Sequence, residues 1–244
     1  MIVLGIETSA DTGGVALMRG GRLLGEKSFR EGLVHGRELV PAISSLLEGA
    51  RLSPRDLQLI AVDVGPGSYT GVRVGISTAK MLAWALGARL AAVVSLDAMA
   101  QAARALGQTL VAVLDARRAH FYRAVYRRER GTLARVSGPA LVRREDVLAS
   151  FPRPAILMGD ALSRFPDVFG PGAELSHAPA QFWTPKAAVV AQLGLRMARR
   201  ADPADCANIE PLYLRLSEAE EKMGIRVDPG KASPESRTDA DAPR

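Results

Sequence analysis

Cysteine is almost absent from this chain. Cys206 is the only one among 244 residues. That excludes an internal disulfide and a cysteine-based metal site, and it fits a reducing compartment such as the cytoplasm. Histidine is scarce as well, and of the three, neither His120 nor His177 begins a metal-ligand spacing. Aromatic residues make up 5%, with no RNA-reading motif that interleaves them with basic residues. No apolar run reaches membrane-span length, because charges interrupt every candidate. The opening Met1 to Ile6 runs directly into Glu7 without a basic leader, so it reads as a first strand rather than a signal peptide.

What the chain has is enough apolar content, 48%, to bury a core in one large domain or two small ones. Net charge is +6, and a basic balance suits nucleic acid nearby. Arginines are dense from Arg117 to Arg144, including Arg127, Arg128 and Arg130, but they lie among strand residues. A solvated face is the first reading of that cluster and an RNA-binding surface the alternative.

The most informative stretch joins an apolar strand, Leu59 to Val64, to a helix ending near Gly87: Gly65-Pro66-Gly67-Ser68-Tyr69-Thr70-Gly71-Val72-Arg73-Val74-Gly75-Ile76. It fails the phosphate-loop tests. No Gly-Lys-Ser/Thr follows either glycine at the required spacing. The dinucleotide fingerprint wants a third glycine where Thr70 stands, and Pro66 removes a backbone donor. The amides of Ser68, Tyr69 and Thr70 remain an anion option at the helix start. Gly71, Gly75, Ala79 and Ala83 recur every four residues and line one helix face. Interior glycines cost a helix roughly 1 kcal/mol each against Ala, so close packing must offset them, either on the chain's own sheet or on a partner helix. The neighbouring stripe, Arg73, Ser77, Lys80 and Trp84, is mixed in character.

Residues 2–8, 12–19 and 22–29 read as three successive strands, with Gly20-Gly21 as a hairpin turn. Leu39, Val40, Ile43, Leu46, Leu47 and Ala50 follow a helical period. Pro41 lies inside that run, so the helix starts near it or is kinked. A strand at 58–64, the helix at 70–86, a strand at 89–94 and a helix from Ser95 to Leu106 follow, with Ser95 as N-cap and Gly107 as the stop. The order then restarts: strands at 109–115, 120–127 and 132–137, a short helix at 144–150, a strand at 155–158 and a helix at 186–200. This predicts an α/β protein of two lobes, each on a mixed sheet: 1–106 and 107–216, with a return of the C-terminal helix to the first lobe left open. Residues 217–244 read as a polar tail, disordered from about Gly224.

Two such lobes are the plan of the actin-like, sugar-kinase and chaperone ATPase (ASKHA) fold, and Gly5-Ile6-Glu7-Thr8-Ser9 resembles its first phosphate loop. A narrower resemblance rests on the long glycine motif, Ile6-Glu7-Thr8-Ser9, Asp115-Ala116-Arg117 and Glu210-Pro211-Leu212-Tyr213-Leu214-Arg215. Together these resemble the TsaB (YeaZ) family over about residues 1–216. The resemblance implies a non-catalytic partner of TsaD, with TsaE as third component, in forming N6-threonylcarbamoyladenosine at position 37 of tRNAs that read codons beginning with A. It implies pairing with TsaD, or with a second copy when TsaD is absent, through the first two helices, about 35–50 and 70–86. The candidate interface residues are then His35, Leu39, Ile43, Tyr69, Gly71, Arg73, Gly75, Ala79, Lys80 and Trp84. ATP and metal would belong to TsaD and TsaE, with no cofactor and no metal of this chain's own.

Enzymes of this superfamily clamp ATP between the lobes with a phosphate loop from each. Here Thr8 and Ser9 keep a loop-like first half, with Glu7 where the ATPases usually place Asp, and Asp115 ends the first strand of lobe two, facing the cleft in an ATPase. Thr8, Ser9 and Asp115 are therefore the candidate nucleotide contacts, against a reading of Asp115 and Arg117 as a salt-bridged strand end. The second lobe offers no glycine-rich loop. His35 matches the first histidine of the metal-binding His-x-x-x-His in TsaD, but Leu39 replaces the second. A nucleophile elbow at Ser68 misses its spacing, which argues against a peptidase. The alternative function is an ATP-dependent small-molecule kinase of the same fold.

Overall fold

The computed structural model describes residues 1–29, 35–172, 174–200 and 208–215. The chain builds two five-stranded mixed sheets on one plan. In the first, β1 (Ile2–Glu7), β2 (Gly13–Arg19), β3 (Arg22–Phe29), β4 (Leu59–Asp63) and β5 (Arg89–Val93) lie in the order β3-β2-β1-β4-β5. In the second, β6 (Thr109–Asp115), β7 (His120–Glu129), β8 (Thr132–Arg143), β9 (Ala155–Met158) and β10 (Leu175–His177) lie in the order β8-β7-β6-β9-β10. In each sheet the first three strands are antiparallel neighbours and the last two run parallel to the first. That shared order is the actin-like, two-lobed ATPase architecture. β1 and β4 are buried along their whole length, as a central strand covered on both faces requires.

Helices α1 (His35–Gly49) and α2 (Tyr69–Leu86) cover one face of the first sheet, and α1 passes through Pro41. Pro41 lies on the exposed side. Ser68 caps α2 by accepting from the Gly71 amide at 3.2 Å, and Gly87 ends it in the left-handed conformation with φ +62°. The Gly20-Gly21 loop has φ of +60° and +99°, the two positive angles that a two-residue hairpin turn demands.

The opposite face of the first sheet is covered by α5 (Ala187–Arg200), whose Val190, Ala191 and Leu195 pack with Val3, Leu59 and Ala61. A Cβ on Gly5 would stand 2.3 Å from the Ala187 carbonyl oxygen, and one on Gly194 would stand 2.4 Å from the Ala61 Cβ. Glycine at both positions is what lets this helix lie so close to the strands. The second lobe thus ends before α5, and Ile209 also sits in the first-lobe core. α3 (Ser95–Ala102) lies between the lobes and carries Leu96, Met99 and Ala100 into the second sheet's core.

Several sequence expectations need correction. Val94, not Ser95, precedes the first turn of α3, which stops at Ala102; Gly107 lies beyond it, pressed on Ile156. Residues 144–150 form a turn and a short 3-10 segment, Leu148–Ser150, rather than a helix. β8 continues past 137 to Arg143 because Gly138, at φ +82°, and a register shift opposite Arg123 and Val125 carry the Gly-Pro pair through an edge strand. An edge position tolerates the donor that Pro139 lacks. β10 and the four-residue α4 (Ala161–Arg164) were not anticipated. Residues 217–244 lie outside the described residues.

Candidate functional site

The carboxyl ends of β1 and β4 meet in a buried polar cluster. Glu7 and Asp63 are almost fully buried, as are Ser9 and Ser95. Glu7 Oε1 accepts from the backbone amides of Ser9 at 2.6 Å and Ala10 at 3.1 Å, and from the Ser9 hydroxyl at 2.8 Å. Asp63 Oδ1 accepts from the Gly65 amide at 2.8 Å and the Ser95 hydroxyl at 2.6 Å, while Asp63 Oδ2 lies 3.2 Å from Ser9 Oγ. The Ser9 hydroxyl, with a single proton, lies within reach of both carboxyls, and burial favours their protonated forms. Burial, and then the neighbouring Asp63 charge, push Glu7 up to about 8. Burial pushes Asp63 up to about 6. With both carboxyls closed off from solvent, the cluster ties the strand ends and the α3 start together and offers no exposed base.

Next to it, the Thr8 hydroxyl donates to the Gly71 carbonyl at 2.7 Å. A Cβ on Gly71 would stand 1.9 Å from the Thr8 carbonyl oxygen, and one on Gly75 would stand 2.3 Å from Thr8 Oγ1. The small face of α2 is therefore a seat for β1 of the same chain. This corrects the interface assignment of Gly71, Gly75 and Ala79, and equally of Leu39 and Ile43, which are buried in the first-lobe core.

A cleft of about 770 Å³ runs between the lobes, lined from the first by Ser9, Asp11 and Tyr69 and from the second by Asp115, Asp160 and Arg164. Arg164 pairs with Asp160 Oδ2 at 3.1 Å, with Asp115 Oδ2 at 3.3 Å, and with Asp11 across the cleft. Asp115 also holds Arg117 at 3.6 Å, the salt-bridged strand end weighed from the sequence. The hairpin that follows, where an ATPase would place its second phosphate loop, has Arg117, Arg118 and Ala119 all at positive φ. The residues present do not fit a metal–nucleotide clamp. Thr8 turns its hydroxyl inward, Ser9 is bound into the carboxyl cluster, and Arg164 already holds the inner carboxylate oxygens. Of the candidate nucleotide contacts, Thr8 faces α2, while Ser9 and Asp115 line the cleft with their side chains bonded within the chain.

The C-terminal segment crosses the cleft mouth. The Leu212 amide donates to the Val64 carbonyl at 2.8 Å. Tyr213 stacks on Tyr69 with ring centroids 4.8 Å apart, and Arg73 Nε donates to the Tyr213 hydroxyl at 2.6 Å while its guanidinium lies 4.2 Å over the Tyr69 ring. Arg215 Nη1 then donates to the carbonyls of Ala116 at 2.9 Å and Arg117 at 3.1 Å. Tyr69 and Arg73, two of the candidate interface residues, thus belong to this intramolecular strap.

The outer face of α1 and α2 is different. Trp84 is 79% exposed, Met81 64% and Val40 53%, on helices that pack against each other on one side of the sheet. Lys80 lies beside them, half-buried, and His35 opens α1, its side chain lying outside the described residues.

A family model described as "TsaD: tRNA N6-adenosine threonylcarbamoyltransferase" matches residues 33–223. The chain is 34% identical over 229 residues to the tRNA threonylcarbamoyladenosine biosynthesis protein TsaB of Bacillus subtilis, covering 91% of this chain and 97% of that protein. The chain belongs to the TsaB family. The TsaB of Escherichia coli is 30% identical over 95% of this chain and 100% of its own length. The solved structure of YeaZ from Pseudomonas aeruginosa superposes with a TM-score of 0.77 at 25% identity, covering 87% of this chain and 99% of that one. The model's name is that of the transferase, but the end-to-end matches carry the TsaB name.

Within this TsaB-family chain, the long glycine motif packs α2 onto β1, and the Glu210–Arg215 motif straps the cleft. Sequence reasoning missed Asp63, Ser95 and Arg164 as members of these clusters, because the partners that close each cluster are far away along the chain; Arg164 and Asp11 are 153 positions apart. It also missed Met81 and Val40, although Met81 precedes Trp84 by the three residues that put both on one helix side. The arginine cluster disperses. Arg123 binds Ser137 and Ser150, Arg135 binds Asp97, Arg143 pairs with Glu145 and Arg144 with Asp167. Among the described residues no group of three or more His, Cys, Asp or Glu is placed to hold a metal ion, and no helix is long and apolar enough to cross a membrane.

Proposed function

We propose that this chain is a non-catalytic scaffold and activator of a TsaD-type transferase, which forms N6-threonylcarbamoyladenosine on tRNAs reading codons that begin with A. The observation that carries the reading is the outer face of α1 and α2. Trp84 and Met81 on α2 and Val40 on α1 are large apolar side chains left exposed on helices whose opposite sides are committed to the core. Exposed apolar patches of this kind mark protein–protein surfaces, and tryptophan is the residue most enriched among interface hot spots. The partner proposed is TsaD, with a second copy of this chain taking its place when TsaD is absent and TsaE as third component; membership of the TsaB family supports the choice.

The same reading leaves ATP and metal to TsaD and TsaE. The inward-facing Thr8 and Ser9 hydroxyls and the Arg164 guanidinium on Asp115 support that division and count against a small-molecule kinase. tRNA is reached through the complex, in the cytoplasm.

Reconstitution tests this. Modified nucleoside is measured on substrate tRNA with TsaD, TsaE, threonylcarbamoyl-adenylate and ATP, with and without this chain. Product that depends on the chain, with no ATP turnover by the chain alone, is expected. Equal product in its absence would overturn the reading.

A further inference from the structure

The cleft contains a cation of the protein's own. Arg164 ends α4, the short helix after β9, and points its three nitrogens at three aspartates. Asp115 and Asp160 belong to the second lobe, and Asp11, in the β1–β2 turn, to the first. The two second-lobe carboxylates are oriented without the arginine: Asp160 Oδ1 accepts from the Asp115 amide at 2.9 Å, and Asp115 Oδ1 accepts from the Arg117 amide at 2.7 Å. Each leaves its Oδ2 for the same guanidinium, at 3.1 Å and 3.3 Å. Asp115 is 5% exposed at its side chain and Arg164 27%, so the contact between them is shielded beyond that of a surface pair, while Asp11, at 53%, is the exposed end of the set. The planar fork of arginine suits several carboxylates at once, which a lysine point charge would not.

We propose that Arg164 is an interlobe brace. It stands where a metal-bearing nucleotide would join the lobes in a clamping enzyme of this architecture, and it fixes their setting without any ligand. The cross-lobe half of the brace is the bond to Asp11; the bonds to Asp115 and Asp160 anchor the arginine in the second lobe. The strap through Tyr213 and Arg215 closes the mouth of the same cleft from another direction, so loss of Arg164 loosens the lobes without separating them. The inference does not depend on the partner proposed above.

Distance measurement between two spin labels tests the brace on the isolated chain. Labels are placed at Glu48→Cys in the first lobe and Asp146→Cys in the second, both exposed positions, with Cys206 changed to Ser. The wild-type background should give one narrow distance distribution, unchanged by millimolar Mg-ATP. Arg164→Gln should broaden it toward longer distances. Asp11→Asn, which alters only an exposed carboxylate and leaves the second lobe's packing intact, should do the same. Matching distributions in all three proteins would overturn the proposal. So would broadening in Arg164→Gln with none in Asp11→Asn, because the arginine would then act within one lobe. A wild-type distribution that narrows on adding Mg-ATP would also overturn it.

Discussion

The Thr8 hydroxyl donates to the Gly71 carbonyl at 2.7 Å, and the Thr8 carbonyl oxygen occupies the space, 1.9 Å away, where any other residue at position 71 would carry its Cβ. Strand β1 and the first turn of α2 therefore meet backbone to backbone. Gly→Ala inside a helix ordinarily gains roughly 1 kcal/mol. Here the overlap outweighs that gain, because backbone atoms on both sides resist moving. Gly71→Ala should lower stability by about 1–3 kcal/mol, seen as a lower urea midpoint at unchanged slope. A raised midpoint would mean that this face is open.

The strap gives a second expectation. Tyr213→Ala removes the stack on Tyr69 and the acceptor for Arg73, a loss of about 1 kcal/mol. The Leu212 amide, bonded to the Val64 carbonyl, should then exchange its hydrogen faster. Tyr213→Phe keeps the stack and should exchange at nearly the wild-type rate. Equal exchange in all three proteins would show that the segment is held by something other than the ring. Because Arg73 belongs to this strap, charge reversal there disturbs the fold as well as any surface it borders.

The buried acids predict an unusual pH response. Glu7 and Asp63 have ordinary carboxyl values near 4 when unfolded and are raised to about 8 and about 6 by burial in the folded chain. Between those limits the folded state holds more protons than the unfolded one. The pair's contribution to stability is therefore fully present below pH 4 and declines as pH rises toward 8, by at most about 1.4 kcal/mol per pH unit for each proton. Glu7→Gln keeps an oxygen for the Ser9 and Ala10 amides and removes one titration. Urea midpoints measured from pH 5 to 8.5 should fall for wild type and flatten for Glu7→Gln. Parallel curves would mean that Glu7 does not hold its proton into neutral pH in the folded chain.

These cases also show what the sequence revealed. The two passes of three strands and a helix were legible because period-two runs broken by Gly20-Gly21 and Gly131 leave few other readings, whereas the order of the strands within each sheet is seen only in the fold. The small stripe on α2 was legible as a close-packing face, but not its occupant. Spacing within a helix says that something comes near, and only the fold shows that it is Thr8. The Glu210–Arg215 motif was visible as a resemblance, yet its stacking on Tyr69 joins positions 144 residues apart, which no local pattern encodes. The Arg164 brace left only its i,i+4 pair with Asp160 in the local pattern; Asp11 and Asp115 come from a distant turn and strand end.

The central claim is that the outer face of α1 and α2 is the pairing surface, and titration calorimetry against TsaD tests it most directly. Trp84→Glu and Met81→Glu lie on exposed positions and should leave the chain's own stability within about 0.5 kcal/mol. The account predicts that Trp84→Glu weakens pairing at least roughly thirtyfold, the scale of a hot-spot loss of about 2 kcal/mol, and that the double variant abolishes it. Wild-type affinity in the double variant, at unchanged stability, would contradict the account and place the partner elsewhere on the molecule.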